Sequence, residues 1–95
     1  MSKTFEEKYK EIRLLIDKEL IGEAKEELDK IIQEDNLQEM AYYLKGNLYK
    51  KEQNWKDAIN NYTKAIEINP SSVAKQARDM CIEILKFYNT DMYNH

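Results

Sequence analysis

An all-helical fold of about five helices follows from three features of the 95-residue sequence. Apolar residues recur at helical rather than alternating spacing, which puts them on one face of successive helices. Helix-start signals return at a fixed interval. Two glycines and one proline are too few to supply the turns of a many-stranded sandwich or barrel. The length allows one domain with a modest core, burying roughly 60–65% of the surface its unfolded chain exposes. Charged residues at 35% and hydrophobic ones at 42% fit a soluble helical protein and argue against wholesale disorder.

Thr4 opens the first helix. Glu7, three residues on, completes a capping box in which two side chains satisfy free backbone N–H groups reciprocally. Phe5, Tyr9, Ile12, Leu15 and Ile16 then share one face. The pattern breaks between Glu19 and Gly22, where a turn containing Gly22 is expected. A second helix carries Ala24, Leu28, Ile31 and Ile32 inward and leaves Glu23, Lys25, Glu26, Asp29 and Lys30 to water. Asn36 with Glu39 reads as the next start signal. The third helix it opens bears Ala41, Tyr42, Leu44, Leu48 and Tyr49. Asn54 with Asp57 begins a fourth, with Ala58, Ile59, Tyr62, Ala65, Ile66 and Ile68 inward. Pro70 cannot donate a backbone hydrogen bond and biases Asn69 away from helical geometry, so the fourth helix ends there. Ser71 or Ser72 caps a fifth helix running to about Tyr88, and residues 89–95 form a frayed tail.

Equivalent positions lie 34 residues apart: Thr4 and Gln38, Ala24 and Ala58, Leu28 and Tyr62, Ile31 and Ala65. Helix pairs with that period mark a stacked repeat architecture. Residues 39–72 hold Tyr42, Lys45, Gly46, Tyr49, Ala58, Tyr62, Ala65 and Pro70. The tetratricopeptide repeat has an aromatic, leucine, glycine, tyrosine, alanine, aromatic, alanine and proline at these places, and only Lys45 departs. The chain therefore resembles that family, and is similar to its short stand-alone bacterial members. Gly46 and Ala58 are small where two antiparallel helices approach closely, while Tyr42, Tyr49 and Tyr62 fill the wider space between them. In residues 5–38 the same places hold Lys8, Glu11, Ile12, Leu15, Ala24, Leu28, Ile31 and Asn36. This is a degenerate terminal repeat in which Ile12, replacing glycine, pushes the helices apart. The resemblance implies antiparallel helix pairs stacked as a short right-handed superhelix. Its parts are a degenerate repeat 5–38, a regular repeat 39–72, a capping helix 73–88 and the tail.

Catalytic chemistry is not expected. His95 is the only histidine and the last residue, a poor place for a positioned base. Cys81 lies within the apolar face of the fifth helix, with no histidine near in sequence and no helix start to lower its pKa. Its solitude precludes an internal disulfide and fits a reducing compartment. Zinc-ligand spacing and a Gly-rich phosphate loop are absent, so neither cofactor nor metal is expected. Acidic pairs such as Glu26-Glu27 and Glu34-Asp35 read as solvated helix faces. The net charge of −3 argues against nucleic acid, despite the basic-aromatic runs Tyr49-Lys50-Lys51 and Trp55-Lys56. No apolar run approaches the ~20 residues of a membrane span, and Met1 to Lys8 has no signal core. A cytoplasmic location away from membranes is expected.

The resemblance implies instead a concave groove lined by the first helix of each pair, binding a segment of another protein. Carried over residue by residue, its lining is Tyr9, Arg13 and Ile16, then Met40, Tyr43, Asn47 and Lys50, then Arg78. Glu6, Asp17 and Lys51 stand beside them, and Ala74, Ala77 and Cys81 form the far wall. Tyr43 and Asn47, one turn apart, can meet one ligand. The chaperone-tail clamp of some relatives does not carry over: Tyr9, Arg13, Leu44, Ala74 and Arg78 occupy its places, and only Arg78 fits. Residues 5–38 are net −5 and residues 39–72 net +1. The groove set is nonetheless basic, which favours an acidic segment or a free C-terminal carboxylate. A competing expectation is self-assembly as a weak homodimer or scaffold. Val73, Ala74, Ala77, Met80, Cys81, Ile84, Leu85 and Tyr88 serve the inner face of the capping helix, leaving Ile82 and Phe87 to meet the tail near Met92 and Tyr93 or a second copy.

Overall fold

The computed structural model describes the backbone of residues 3–93 and the side chains as far as Phe87. Contacts of the Tyr88, Met92 and Tyr93 side chains, and all of His95, lie outside the described residues. Among those described are five helices and no strand: α1 (Phe5–Asp17), α2 (Ile21–Glu34), α3 (Glu39–Lys51), α4 (Trp55–Ile68) and α5 (Ala74–Tyr93). Each helix packs on the next in chain order. The result is an elongated helical-repeat stack of 59 × 29 × 18 Å.

The boundaries of α1 and α2 all recur 34 residues later in α3 and α4. The turn inside each pair is also repeated. Lys18 and Glu52 close the first helices with φ near −85° and ψ of 2°. Glu19 and Gln53 then adopt the left-handed conformation, at φ 63° and 61°. Gly22 does not serve this turn: it is the second residue of α2, and the glycine-like conformation falls on Glu19 instead.

Between pairs the chain turns on a side chain. Asp35 Oδ1 accepts from Leu37 N at 3.0 Å, and 34 residues on Asn69 Oδ1 accepts from Ser71 N at 3.0 Å. Hydrogen bonds from the Gln38 amide and Leu37 N–H hold the Asp35 carboxyl below its ordinary range. The start signal at Asn36 is thereby displaced. Asp35 organises the turn, and α3 begins after Gln38, which makes no side-chain capping bond. Thr4 with Glu7 forms the expected capping box, and Asn54 Oδ1 accepts from Asp57 N. Ser72 Oγ accepts from Ala74 N at 3.1 Å to start α5. That helix runs past Tyr88 to Tyr93, since no proline or glycine interrupts residues 74–93.

Two core clusters share α3. Tyr9, Ile12, Ala24, Leu28, Ile31, Ala41, Leu44 and Leu48 form one between α1, α2 and α3. Tyr42, Ala58, Tyr62, Ala65, Ala74 and Cys81 form the other between α3, α4 and α5. Inside the second repeat the Tyr62 ring is fully buried over Gly46, with no room for a methyl between them. The equivalent places in the first repeat hold Ile12 and Leu28, both buried, so volume is moved from one helix to the other. α1 and α2 approach each other along less of their length than α3 and α4 do. A hollow of about 490 Å³, lined by Lys8, Ile12, Leu15, Glu23 and Glu27 among others, lies between α1 and α2.

Lys45, in the leucine place, keeps its stem against the protein and its ammonium on Asp29 Oδ1 at 2.7 Å. Its Nζ also stands 6.0 Å from the Tyr49 ring centre, and Lys25 Nζ, paired with Glu52, stands 4.4 Å from the same ring. The Lys25–Tyr49 cation–π contact and the Lys45–Asp29 ion pair thus bind α2 to α3 where the family pattern uses an aliphatic side chain.

A Cβ at position 46 would meet Tyr62 ring carbons at 2.5 Å. Gly46→Ala is therefore expected to cost about 1–3 kcal/mol of overpacking. That outweighs alanine's helix advantage of roughly 0.5–1 kcal/mol and lowers the urea midpoint. Gln53→Gly should raise the midpoint. Relief of a left-handed residue is worth about 1–2 kcal/mol, less roughly 0.5–1 for glycine's extra chain entropy.

Burial pushes the Tyr9 hydroxyl up to about 12 and raises that of Tyr62 as well. Unfolded tyrosine ionises near pH ~10. Above that pH the native state retains protons that the unfolded state has lost, so stability falls as pH climbs from about 10 towards 12. Tyrosinate absorbance separates this from lysine titration: of the seven tyrosines, Tyr9 and Tyr62 should ionise only as the chain unfolds.

Candidate functional site

The first helices of the layers, α1, α3 and α5, are linked side by side through the residues expected to line a groove. Arg13 Nη2 lies 3.7 Å from Met40 Sδ, joining α1 to α3. Met40, Tyr43 and Ile16 are half-buried against the first core cluster, so their outer surfaces remain available. Tyr43 also packs on the second cluster, with its ring centre 6.0 Å from that of Tyr62.

Tyr62 reaches across from α4 and orders this surface from below. Its hydroxyl donates to Asn47 Oδ1 at 2.5 Å. With its oxygen so engaged, Asn47 keeps two amide N–H donors for other acceptors. Asn47 is half-buried, as are Lys50 and Arg78, while Arg13 is exposed. The charge of the Lys50 ammonium opposes the rise that burial imposes on the Cys81 thiol, and α3 meets α5 in the second core cluster, where Tyr42 joins Ala74 and Cys81. Arg78 Nη2 makes a 3.4 Å contact with the neighbouring Asp79. Its Nε is buried without a hydrogen-bond partner.

Three of the expected groove residues belong to the core instead. Tyr9 is 7% exposed in the first cluster, its hydroxyl donating to Gln38 Oε1 at 3.0 Å. Ala74 and Cys81 are fully buried, as their place on the inner face of the fifth helix implied, and so do not line the surface. The reason is common to all three: they sit on the side of their helices that meets the neighbouring pair. Glu6, Asp17 and Lys51 are exposed beside the remaining set. Met80 on α5 and Val73 just before it were expected to face inward but are 58% and 60% exposed. Ile82 is half-buried and Phe87 is 79% exposed.

What the sequence reading missed is Tyr62 as an orienting residue, since its hydroxyl carries no signature in the apolar pattern. The arrangement offers amide donors, cationic groups and partly exposed apolar surface, a set suited to holding a peptide. Among the described residues no three His, Cys, Asp or Glu side chains converge to hold a metal ion. None of the helices described is long and apolar enough to cross a membrane.

The tetratricopeptide repeat family matches residues 40–72, the second helix pair and the turn after it. The solution structure of the Bacteroides fragilis protein BF1650 is similar to this chain at 48% identity and a TM-score of 0.81. The match covers 90% of this chain and 87% of that one. No curated protein matches the chain significantly. The repeat match and the likeness over nearly the whole length agree with the 34-residue register of the two helix pairs, and the chain belongs to the tetratricopeptide repeat family.

Proposed function

We propose that this protein is a non-catalytic interaction module that takes an extended segment of a partner protein into its concave groove. Acidic segments and free C-terminal carboxylates are the preferred ligands. The observation that carries this reading is the set of donors on adjacent first helices. Asn47 is held in place by Tyr62, with Arg13, Lys50 and Arg78 on α1, α3 and α5. Peptide carbonyls accept from the Asn47 amide, and the cations meet carboxylates. Ile16, Met40 and Tyr43 supply apolar contact for side chains of the bound segment. Tyr9 contributes from beneath, by fixing the α1–α3 junction through Gln38.

A second reading has copies of the chain associating as a scaffold through α5, where Met80 and Phe87 are exposed. The acidic residues bordering that face weigh against it.

The test is capture of the partner from the native host, followed by titration of its minimal binding peptide. Arg13→Glu and Lys50→Glu should each weaken that peptide about five- to tenfold, roughly 1–1.4 kcal/mol. Raised salt and, for a C-terminal ligand, amidation should weaken it further. Unchanged affinity in both variants would exclude the groove. Asn47→Ala is a poorer probe, because it strips the Tyr62 hydroxyl of its acceptor and costs stability as well.

A further inference from the structure

The 34-residue register gives meaning to the exposed side of α5. On α3, the residues that receive α4 are Tyr42, Gly46 and Tyr49, all packed against the second core cluster or against Tyr62. Advanced by one period they become Gln76, Met80 and Glu83. This side of α5 therefore occupies the position at which the second helix of a pair is seated, and no helix among those described covers it.

Two adjoining hollows mark its surface. One of about 590 Å³ is lined by Gln76, Asp79, Met80, Glu83 and Ile84. The other, of about 420 Å³, shares Glu83 and Ile84 and extends to Trp55 at the start of α4. Together they follow α5 from Gln76 to Phe87, about 17 Å of helix rise, or three turns. Met80 replaces the small residue that allows α4 its close approach, so an incoming helix rests on a flexible thioether that can adapt to its side chains.

Charge decides the occupant. The ionisable residues lining the two hollows are Asp79 and Glu83, both acidic. Their contacts with Arg78 at 3.4 Å and Lys86 at 3.8 Å are long and exposed, which makes them weak competitors for a better-placed cation. A second copy docking by two-fold symmetry would bring these carboxylates towards their own counterparts. We infer that the outer face of α5 is a second docking site, separate from the groove, for an amphipathic helix of a partner protein whose apolar stripe is flanked by lysine or arginine. The apolar stripe covers Met80 and Ile84, and the basic flanks meet Asp79 and Glu83.

Trp55, the only tryptophan, lines the trough and reports on it directly. Two synthetic helical peptides of about 16 residues, long enough to span the trough, share one leucine stripe and differ only in Lys or Glu flanks. The lysine peptide should give a saturable change in Trp55 emission, and the glutamate peptide should bind at least about tenfold more weakly. Asp79→Lys combined with Glu83→Lys should reverse that preference. Met80→Glu, at an exposed helix position, should abolish the signal while the circular dichroism spectrum is retained. The inference fails if the lysine peptide gives no saturable change, or if both peptides bind equally. It also fails if the free chain sediments as a dimer that Met80→Glu dissociates, since the face then belongs to a second copy.

Discussion

The contact between the Tyr62 ring and the backbone at Gly46 governs most of the molecule. It brings α3 and α4 close enough to enclose Ala58 and Ala65, and so closes the second core cluster. The same side chain projects through that core, so its hydroxyl holds Asn47 and its ring supports Tyr43 on the binding surface. Packing and recognition thus depend on one residue. A phenol with its hydroxyl paired is well suited to this, since it fills a large volume and presents a hydrogen bond at its far end. In the first repeat, Leu28 occupies the same place without a polar end, and no such bridge is available to α1.

Much of this architecture could be read from residue types at set spacing. Gly46, Ala58, Tyr62 and Pro70 each name a backbone or steric requirement, and their 34-residue frame gave helix boundaries close to those observed. Where the reading went astray, a local rule met a stronger neighbour. Asn36 is a good cap by type, but Asp35 had already taken the turn. Gly22 suits a left-handed residue, yet hydrogen bonding from Glu19 N to Ile16 O and from Leu20 N to Leu15 O closes the turn earlier. The groove was only partly legible. Helical spacing assigns a residue to a face, but it does not say how far the neighbouring pair overlaps that face. Tyr9 was lost to the core for that reason. The exposure of Met80 was hidden by the converse: an apolar residue at inward spacing has no inward partner when no described helix is seated on that side of α5.

The junction between repeats shows how a departure from pattern can be absorbed. Lys45 would be a misplaced charge if the stack were sealed by aliphatic packing alone. Asp29 takes its ammonium, and the Tyr49 ring is flanked by Lys45 and Lys25, so the cationic heads are partnered while their stems cover apolar surface. The result is a junction that is apolar within and ionic at its margin.

Asp35 and Asn69 turn the chain in the same way at the same register. A segment cut at one of these turns and rejoined at the other would leave the backbone torsions around the seam almost as they were. The stack can therefore lengthen or shorten by whole cassettes of coding sequence, without a new linker having to evolve at each join. The length of such a stack is in that sense a matter of copy number.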